Sequence, residues 1–234
     1  SIVPIVPNRG LIVDRNGVVL ASNYSAYTLE ITPSKTADLE RTIDECADRG
    51  LYTYLRLHMY SDILGAATID EPKLSAYGLG SEFYFNPQMI DIIKQHITRR
   101  LTHVNPYTGL RIGEDPAVVF IEYFNENGLL QAFLYDRLHG DCYSCTFPRD
   151  IGIEHVQLLN DQFNAWLRTR YGDRATLESS WQETGKIGLD PAEDPWTGSG
   201  TVGRLRYSAR DTYSRARFRD TVAFYLETEE NYYT

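Results

Sequence analysis

The residues best suited to catalysis follow the apolar segment 116–124, whose sequence is PAVVFIEYF. A nearly all-apolar run is typical of a strand buried in a parallel sheet, and Asn125 and Glu126 come directly after it. In parallel barrels the catalytic groups lie at the carboxyl ends of the strands. Burial raises the pKa of a carboxyl group, so Glu126 could stay protonated and act as a general acid. The alternative is a carboxylate that stabilises a helix N-terminus.

Hydrolysis of a glycosidic bond would need a second carboxylate near Glu126. The two carboxyl groups lie about 5–5.5 Å apart in retaining glycosidases and about 6.5–9.5 Å apart in inverting ones. Glu122 precedes Glu126 by four residues on the same strand, which at about 3.3 Å per residue separates them by roughly 13 Å. Glu82, Asp62 and Asp141 fall in predicted loops, and nothing in the sequence brings them closer. The catalytic pair is therefore incomplete.

The elements that would position these residues alternate between helices and strands. A helix is predicted from Thr36, with Leu39, Ile43 and Cys46 on one face and Gly50 at its end. The other predicted elements are strands at 51–58 and 116–124 and helices at 86–104, about 152–171, from 173 and at about 209–232. This order predicts an α/β fold with a parallel sheet.

The helix at 86–104 has the clearest start signal. Asn is favoured at the N-cap and Pro at the first helical position, and Asn86 and Pro87 occupy those positions. Apolar residues then recur at helical spacing. They are Met89, Ile90, Ile93, Ile97 and Leu101.

The N-terminal part of the chain has the pattern of β structure. Two apolar runs flank the sequence from Asp14 to Gly17, in which Asn16 precedes Gly17. Asn-Gly is a strong signal for a hairpin turn because both residues tolerate positive φ. The segment 26–31, AYTLEI, alternates in polarity and predicts a third strand. An antiparallel β-hairpin module is therefore expected here.

Composition limits the classes of partner. The chain of 234 residues has a net charge of −9 and a pI near 5.1. An acidic balance disfavours nucleic acids and anionic membranes as partners. No segment approaches the roughly 20 apolar residues of a membrane span, and localisation is not predicted.

Two motifs of other chemistry are weak. Cys142 and Cys145 form a Cys-x-x-Cys with His139 and His155 nearby; plain loop thiols or a disulfide, a metal site and a redox pair all stay open. The segment 198–206, GSGTVGRLR, is glycine-rich but lacks the Lys-Ser/Thr of a P-loop. Neither motif is specific enough for a metal site or a cofactor to be predicted.

From about residue 49 onward the sequence resembles the middle of a (β/α)8-barrel glycoside hydrolase of clan A. The similar phrases are RGLYTYLRLH, AYGLGSEFYFNPQMID, RLTHVNPYTGLRIGEDPAVVFIEYFNEN and FNAWLRTRYGDRATLESSW. The resemblance implies that Glu126 is the acid/base and that Asn125 binds a sugar 2-hydroxyl. It also implies that Arg56 and His58 line the subsite, and that the strand carrying the nucleophile is missing.

Residues 4–45 resemble a different family, the N-terminal pedestal segment of elongation-type class B penicillin-binding proteins. The matching residues are Arg9, Gly10, Asp14, Arg15, Asn16, Gly17, Leu20 and Ala21. The resemblance implies a structural role. Neither Ser-x-x-Lys nor Lys-Thr-Gly occurs in the chain, so no penicillin-binding activity is expected.

These observations predict two segments, a hairpin module at 1–35 and a partial (β/α)-barrel at 36–234. The main hypothesis is a glycoside-hydrolase-like chain, incomplete as a catalyst, with a carbohydrate as its partner. The alternative is a non-catalytic assembly protein or an artificial chimera, joined near residues 38–50, that self-associates through exposed sheet edges and aromatic helices.

Overall fold

The computed structural model describes residues 12–21, 29–31, 37–57, 81–123, 128–140, 151 and 153–234. The strands are β1 (Ile12–Val13), β2 (Val19–Ala21), β3 (Leu29–Ile31), β4 (Thr53–Arg56) and β5 (Val118–Glu122). The helices are α1 (Leu39–Asp48), α2 (Pro87–Thr102), α3 (Leu129–Leu134), α4 (Ile153–Tyr171), α5 (Arg174–Trp181) and α6 (Arg215–Tyr233). Short 3₁₀ helices cover Ser81–Tyr84, Ile112–Glu114 and Tyr207–Ala209.

β1 and β2 pair in antiparallel orientation around the Asp14–Gly17 turn. The Asp14 carboxylate accepts hydrogen bonds from the backbone N–H groups of Asn16 and Val18, each at 2.8 Å. Gly17 adopts a φ of 81°, which a residue without a Cβ adopts at little cost. The turn is therefore stabilised by one carboxylate and one glycine.

A three-stranded parallel sheet in the order β3-β4-β5 forms the centre of the N-terminal half. Leu29 pairs with Thr53 at one side of β4, and Thr53 pairs with Val118 at the other. The register between β4 and β5 then shifts, so that Tyr54 pairs with Phe120 and Val119 is an extra residue. Such a bulge twists and bends the strand that carries it.

Helices α1 and α2 pack on one face of this sheet. As the sequence predicts, Leu39, Ile43 and Cys46 of α1 are buried, and Asn86 caps α2 with Pro87 at its start. The hydrophobic core between these helices and the sheet also contains the buried residues Leu55, Leu57, Ile112 and Ala117. Burial raises the pKa of the Cys46 thiol, so this cysteine behaves as a core residue.

A second hydrophobic core lies in the helical C-terminal half. Most of its buried members come from α3, α4, α5, α6 and the segment around Tyr84. They include Phe133, Leu159, Phe163, Leu167, Leu177, Trp181, Phe224 and Tyr225. The helix predicted from 173 begins at Arg174, with Asp173 as its N-cap. The last helix begins at Arg215 instead of 209, because Ser214 supplies the cap and 207–209 form a 3₁₀ turn.

The prediction that β5 is buried on both faces is wrong. Phe120 is 69% exposed and Val119 is 46% exposed, because α1 and α2 cover only the opposite face. Three parallel strands are compatible with a partial barrel and with an open sheet, so the partial barrel stays a prediction. β3 belongs by sequence to the module at 1–35, yet it pairs with β4.

In the described part of the chain, no helix is long and apolar enough to cross a membrane.

Candidate self-association surface

The face of the parallel sheet opposite α1 and α2 carries an aromatic pair. Tyr54 of β4 and Phe120 of β5 occupy the same register position. Their ring centroids are 6.4 Å apart with an interplanar angle of 82°, an edge-to-face arrangement favoured by the ring quadrupoles. Since Phe120 is 69% exposed, this pair presents a large apolar side chain to solvent.

The opposite face of the sheet is buried. Leu55 is 1% exposed and Leu57 is 4% exposed. Thr53 is fully buried, and its hydroxyl donates a hydrogen bond of 3.0 Å to the carbonyl of Ala117. The alternation of side chains along β4 therefore separates a helix-covered face from an open one.

β5 is also an edge strand. Within the described ranges, β4 pairs with it on one side and no strand lies on the other. An unpaired edge offers backbone donors and acceptors to another chain. Tyr123, directly after β5, is also exposed, at 44%. The open face of the sheet and its open edge meet at Phe120. We call the surface formed by Tyr54 and by the edge strand β5 the candidate surface.

Charged positions end both strands at this surface. Arg56 and Glu122 are Cα partners at the last position of β4 and β5. Glu122 is partly buried, and the side chain of Arg56 lies outside the description. The surface therefore has an apolar centre and a charged end.

Four residues were predicted to form a glycosidase site, and the structure describes the backbone of one of them. His58, Asn125 and Glu126 lie outside the described residues. Of the four, Arg56 alone has a described position, at the end of β4. The roles predicted for these four residues in catalysis and sugar binding therefore stay predictions.

Glu82, Asp62 and Asp141 were the loop carboxylates considered as partners of Glu126 in catalysis. Glu82 is 2% exposed within the 3₁₀ helix at 81–84, and Asp62 and Asp141 lie outside the description. Cys142 and Cys145 also lie outside it. Among the residues that are described, no group of three or more His, Cys, Asp or Glu side chains is placed to hold a metal ion.

Comparison with protein families matches residues 4–125 to the penicillin-binding protein dimerisation domain. The match takes up more than half of the 234 residues and contains β1 to β5 with α1 and α2. The chain therefore belongs to the family of penicillin-binding protein dimerisation domains.

The chain is similar to curated proteins named peptidoglycan D,D-transpeptidase MrdA. It is 28% identical to the Haemophilus influenzae protein over 121 residues, which are 47% of this chain and 19% of that protein. It is 46% identical to the Escherichia coli K12 protein over 44 residues, 19% of this chain and 7% of the relative. The chain thus covers a minor part of these relatives. No solved structure matches it.

The interpretation as a glycoside hydrolase is therefore wrong. The family match includes residues 49–125, the first part of the range from about 49 to 234 in which the barrel resemblance was placed, and it crosses the suspected junction at 38–50. No comparison supports a glycosidase or a carbohydrate partner. The misleading feature was an apolar strand followed by polar residues, which any parallel α/β sheet produces. The resemblance of the N-terminal segment to penicillin-binding proteins is confirmed.

The sequence interpretation missed Phe120 as a surface residue. Every residue of β5 except Glu122 is apolar, and such a run does not show which face is covered. The register shift at Val119 has no signal in the sequence, because no glycine or proline occurs in β5. The one sequence feature that bears on the exposure of Phe120 is the small number of predicted helices that could cover the sheet.

Proposed function

We propose that this chain is a non-catalytic assembly segment of the penicillin-binding protein type, which pairs with a second copy of itself through β5. The observation that carries the proposal is the exposed Phe120 on an edge strand in a chain of the dimerisation-domain family. Aromatic residues at the centre of an exposed apolar patch are typical of interfaces.

A two-fold axis through Phe120 would pair the whole of β5, which is five residues long. The two edges would then run antiparallel and form a continuous six-stranded sheet. Val118 would lie opposite the partner's Glu122, and Phe120 opposite the partner's Phe120. Such an isologous contact closes on itself and stops at the dimer.

Two physical gains support this arrangement. Backbone groups on the outer edge of β5 would form ladder hydrogen bonds with the partner strand, and directly opposed aromatic side chains stabilise an antiparallel pair by about 0.2–1 kcal/mol. The exposed Tyr123 would extend the apolar contact beyond the strand. Since a stable dimer needs roughly 800 Å² per partner, the contact would also involve surfaces next to the sheet.

The names of the relatives suggest the kind of protein in which this assembly segment serves. We propose that the chain serves a protein that cross-links peptidoglycan, in the role of a structural part. The support is the family membership together with the similarity to proteins named peptidoglycan D,D-transpeptidase. Transpeptidase chemistry would then be supplied by a part of such a protein other than residues 4–125.

Sedimentation velocity over a range of concentrations tests the proposed pairing. We expect the wild type to show a concentration-dependent dimer and Phe120→Glu to sediment as a monomer, because a carboxylate opposite its own copy repels. Leu226→Glu is the matched control. Leu226 is 46% exposed on α6, so this substitution puts the same charge in place of an exposed apolar residue at another surface.

Dimerisation of Leu226→Glu at the wild-type concentration would support a contact at β5. Equal dimerisation by Phe120→Glu would show that the copies pair elsewhere. A wild type that stays monomeric at all concentrations would overturn the proposed function.

A further inference from the structure

A groove of about 270 Å³ lies where α4 and α6 meet the segment around Tyr84. Its walls include four aromatic side chains, those of Tyr84, Trp166, Phe224 and Tyr232. The rings of Tyr84 and Tyr232 are inclined by 65° with their centroids 5.1 Å apart. Those of Trp166 and Phe224 are also inclined by 65°, with their centroids 6.2 Å apart. The inclined rings therefore line a concave surface instead of a flat one.

Glu227 gives this groove a negative charge. Among the described residues that line the groove, no other carries a formal charge. The carboxylate of Glu227 accepts one hydrogen bond, from the Trp166 indole to Oε2 at 2.6 Å, and no cation of the described chain forms an ion pair with it. The guanidinium of Arg170 lies over the Trp166 ring at 4.8 Å, but its ion pair is with Asp220, at 3.5 Å. The charge of Glu227 is thus available to a ligand.

The hydrogen-bonding groups of the groove leave acceptors over. Gln162 Nε2 donates to the Phe85 carbonyl at 2.9 Å, and the Thr228 hydroxyl donates to the Phe224 carbonyl at 2.7 Å. These donors are used within the chain, whereas Oε1 of Gln162 and Oε1 of Glu227 accept no hydrogen bond from the residues that the structure describes. A ligand that bonds to both oxygens must bring N–H or O–H donors of its own.

We propose that this groove binds a small organic cation, an ammonium group carried on a short apolar stem. A cation within about 6 Å of an aromatic ring centroid is attracted by the negative face of the ring, and a carboxylate adds a charge-assisted hydrogen bond. The stem would pack on the aromatic walls, since ligand sites combine an apolar lining with a few polar groups. The net charge of −9 also favours the approach of cations.

Titration of the whole chain with butylammonium chloride, followed by NMR, tests the site. The indole N–H signal of Trp166, assigned by its absence in Trp166→Phe, reports on the wall of the groove. Choline, a quaternary ammonium, is the second cation, and butan-1-ol has the butyl stem without the charge. Sodium chloride at equal ionic strength gives the baseline. We expect a saturable shift with at least one cation, with a Kd about tenfold or more below that of butan-1-ol.

A pair of charge-removing variants tests the part of Glu227. Glu227→Gln keeps the shape of the side chain and should raise the Kd of the cation about tenfold or more, because a charge-assisted contact is lost. Glu230→Gln is the matched control. It removes the same charge from an exposed position of α6 that does not line the groove, and it should keep the wild-type Kd.

Tighter binding of choline would indicate a ligand held chiefly by the aromatic faces, and tighter binding of butylammonium one held chiefly by the acceptors; both support the site. In a wild type folded by circular dichroism, the lack of a saturable shift with both cations would overturn the proposal, as would butan-1-ol binding as tightly as the cations. Equal Kd values in Glu227→Gln and Glu230→Gln would also contradict it, since Glu227 would then have no specific part in binding. Dimerisation through β5 is independent of these outcomes.

Discussion

At the scale of single residues, the C-terminal half is organised by buried polar groups. Arg217 is buried, with 2% of its surface exposed. Its ion pair with Glu193 joins α6 to the loop at 182–214. Asp220 is fully buried and accepts hydrogen bonds from the Trp181 indole at 2.7 Å and from the Tyr171 hydroxyl. Each carboxylate connects two or more elements, so each fixes their relative position.

Breaking the buried ion pair is expected to destabilise the protein strongly. In Glu193→Gln the charge of Arg217 stays buried without its partner, which costs about 3–5 kcal/mol. Urea unfolding followed by circular dichroism measures the loss. Glu183→Gln is the matched control, because Glu183 pairs at 3.8 Å with Arg215, whose side chain is 95% exposed; exposed pairs contribute about 0–1 kcal/mol. Equal effects of both substitutions would contradict this view.

At the scale of elements, helix starts are well defined by their caps. Asp38, Asn86, Asp173 and Ser214 each accept a hydrogen bond from a backbone N–H in the first turn of the helix that follows. These residue types are favoured at N-caps because they satisfy donors that the helix leaves free. The backbone and side-chain hydrogen bonds from Thr176 lower the pKa of Asp173.

The cap of α6 offers a direct test. Ser214 is fully buried, and its hydroxyl accepts from the backbone N–H of Arg217 at 3.2 Å. Ser214→Ala is therefore expected to lower the free energy of unfolding by about 1 kcal/mol. Ser208→Ala, at an exposed position of the preceding 3₁₀ turn, should stay within about 0.5 kcal/mol of the wild type. A Ser214→Ala chain as stable as the wild type would show that packing alone fixes this start.

Local signals explain which elements the sequence could predict. The start of α2 follows from Asn86 and Pro87, and the buried face of α1 from the spacing of Leu39, Ile43 and Cys46. The exposure of Phe120 could not be predicted, since it depends on which face of the sheet the helices cover. The candidate surface could therefore be recognised only from the tertiary structure. The Asn-Glu sequence at 125–126 suggested glycosidase chemistry, which the comparisons do not support.

At the scale of the whole molecule, the C-terminal helix contacts the segment that matches the family. Tyr84 lies at the end of the 3₁₀ helix at 81–84, with its ring 5.1 Å from that of Tyr232 and its hydroxyl 3.2 Å from that of Tyr233. Gln162 of α4 donates a hydrogen bond of 2.9 Å to the carbonyl of Phe85. Aromatic packing and hydrogen bonds thus join the two halves of the chain at this point.

Buried tyrosines predict a loss of stability at alkaline pH. Burial raises the pKa of Tyr84, Tyr171, Tyr225 and Tyr232 above the ordinary value of 10.0. A raised pKa means that the folded state keeps protons that the unfolded state loses. The contribution is therefore fully present below pH 10 and is lost as the pH rises above it.

Urea unfolding at a series of pH values from 8 to above 10 should show this decrease. Tyr84→Phe removes one ionising group and should make the decrease less steep, although it also removes the contact with the Tyr233 hydroxyl. Tyr135→Phe, at a side chain that is 56% exposed, is the control and should keep the wild-type slope. A free energy of unfolding that is constant across pH 10 would contradict the account.

The two-fold pairing of β5 makes a geometric prediction about crosslinks. Residues directly opposite in an antiparallel pair have Cα atoms about 4.5–5.5 Å apart, within the range that a disulfide bridges. With the axis through Phe120, residue 120 faces its own copy. Residue 118 is displaced from its copy by four positions, roughly 13 Å along the strand.

Disulfide formation in Phe120→Cys is therefore the most direct test of the central claim, that copies of this chain pair through β5. The substitution is made in a chain whose Cys46, Cys142 and Cys145 are replaced by alanine, with Val118→Cys in the same background as the control. The account predicts a covalent dimer of Phe120→Cys on mild oxidation and a monomer of Val118→Cys. A Phe120→Cys chain that stays monomeric, or that crosslinks no better than Val118→Cys, would contradict it.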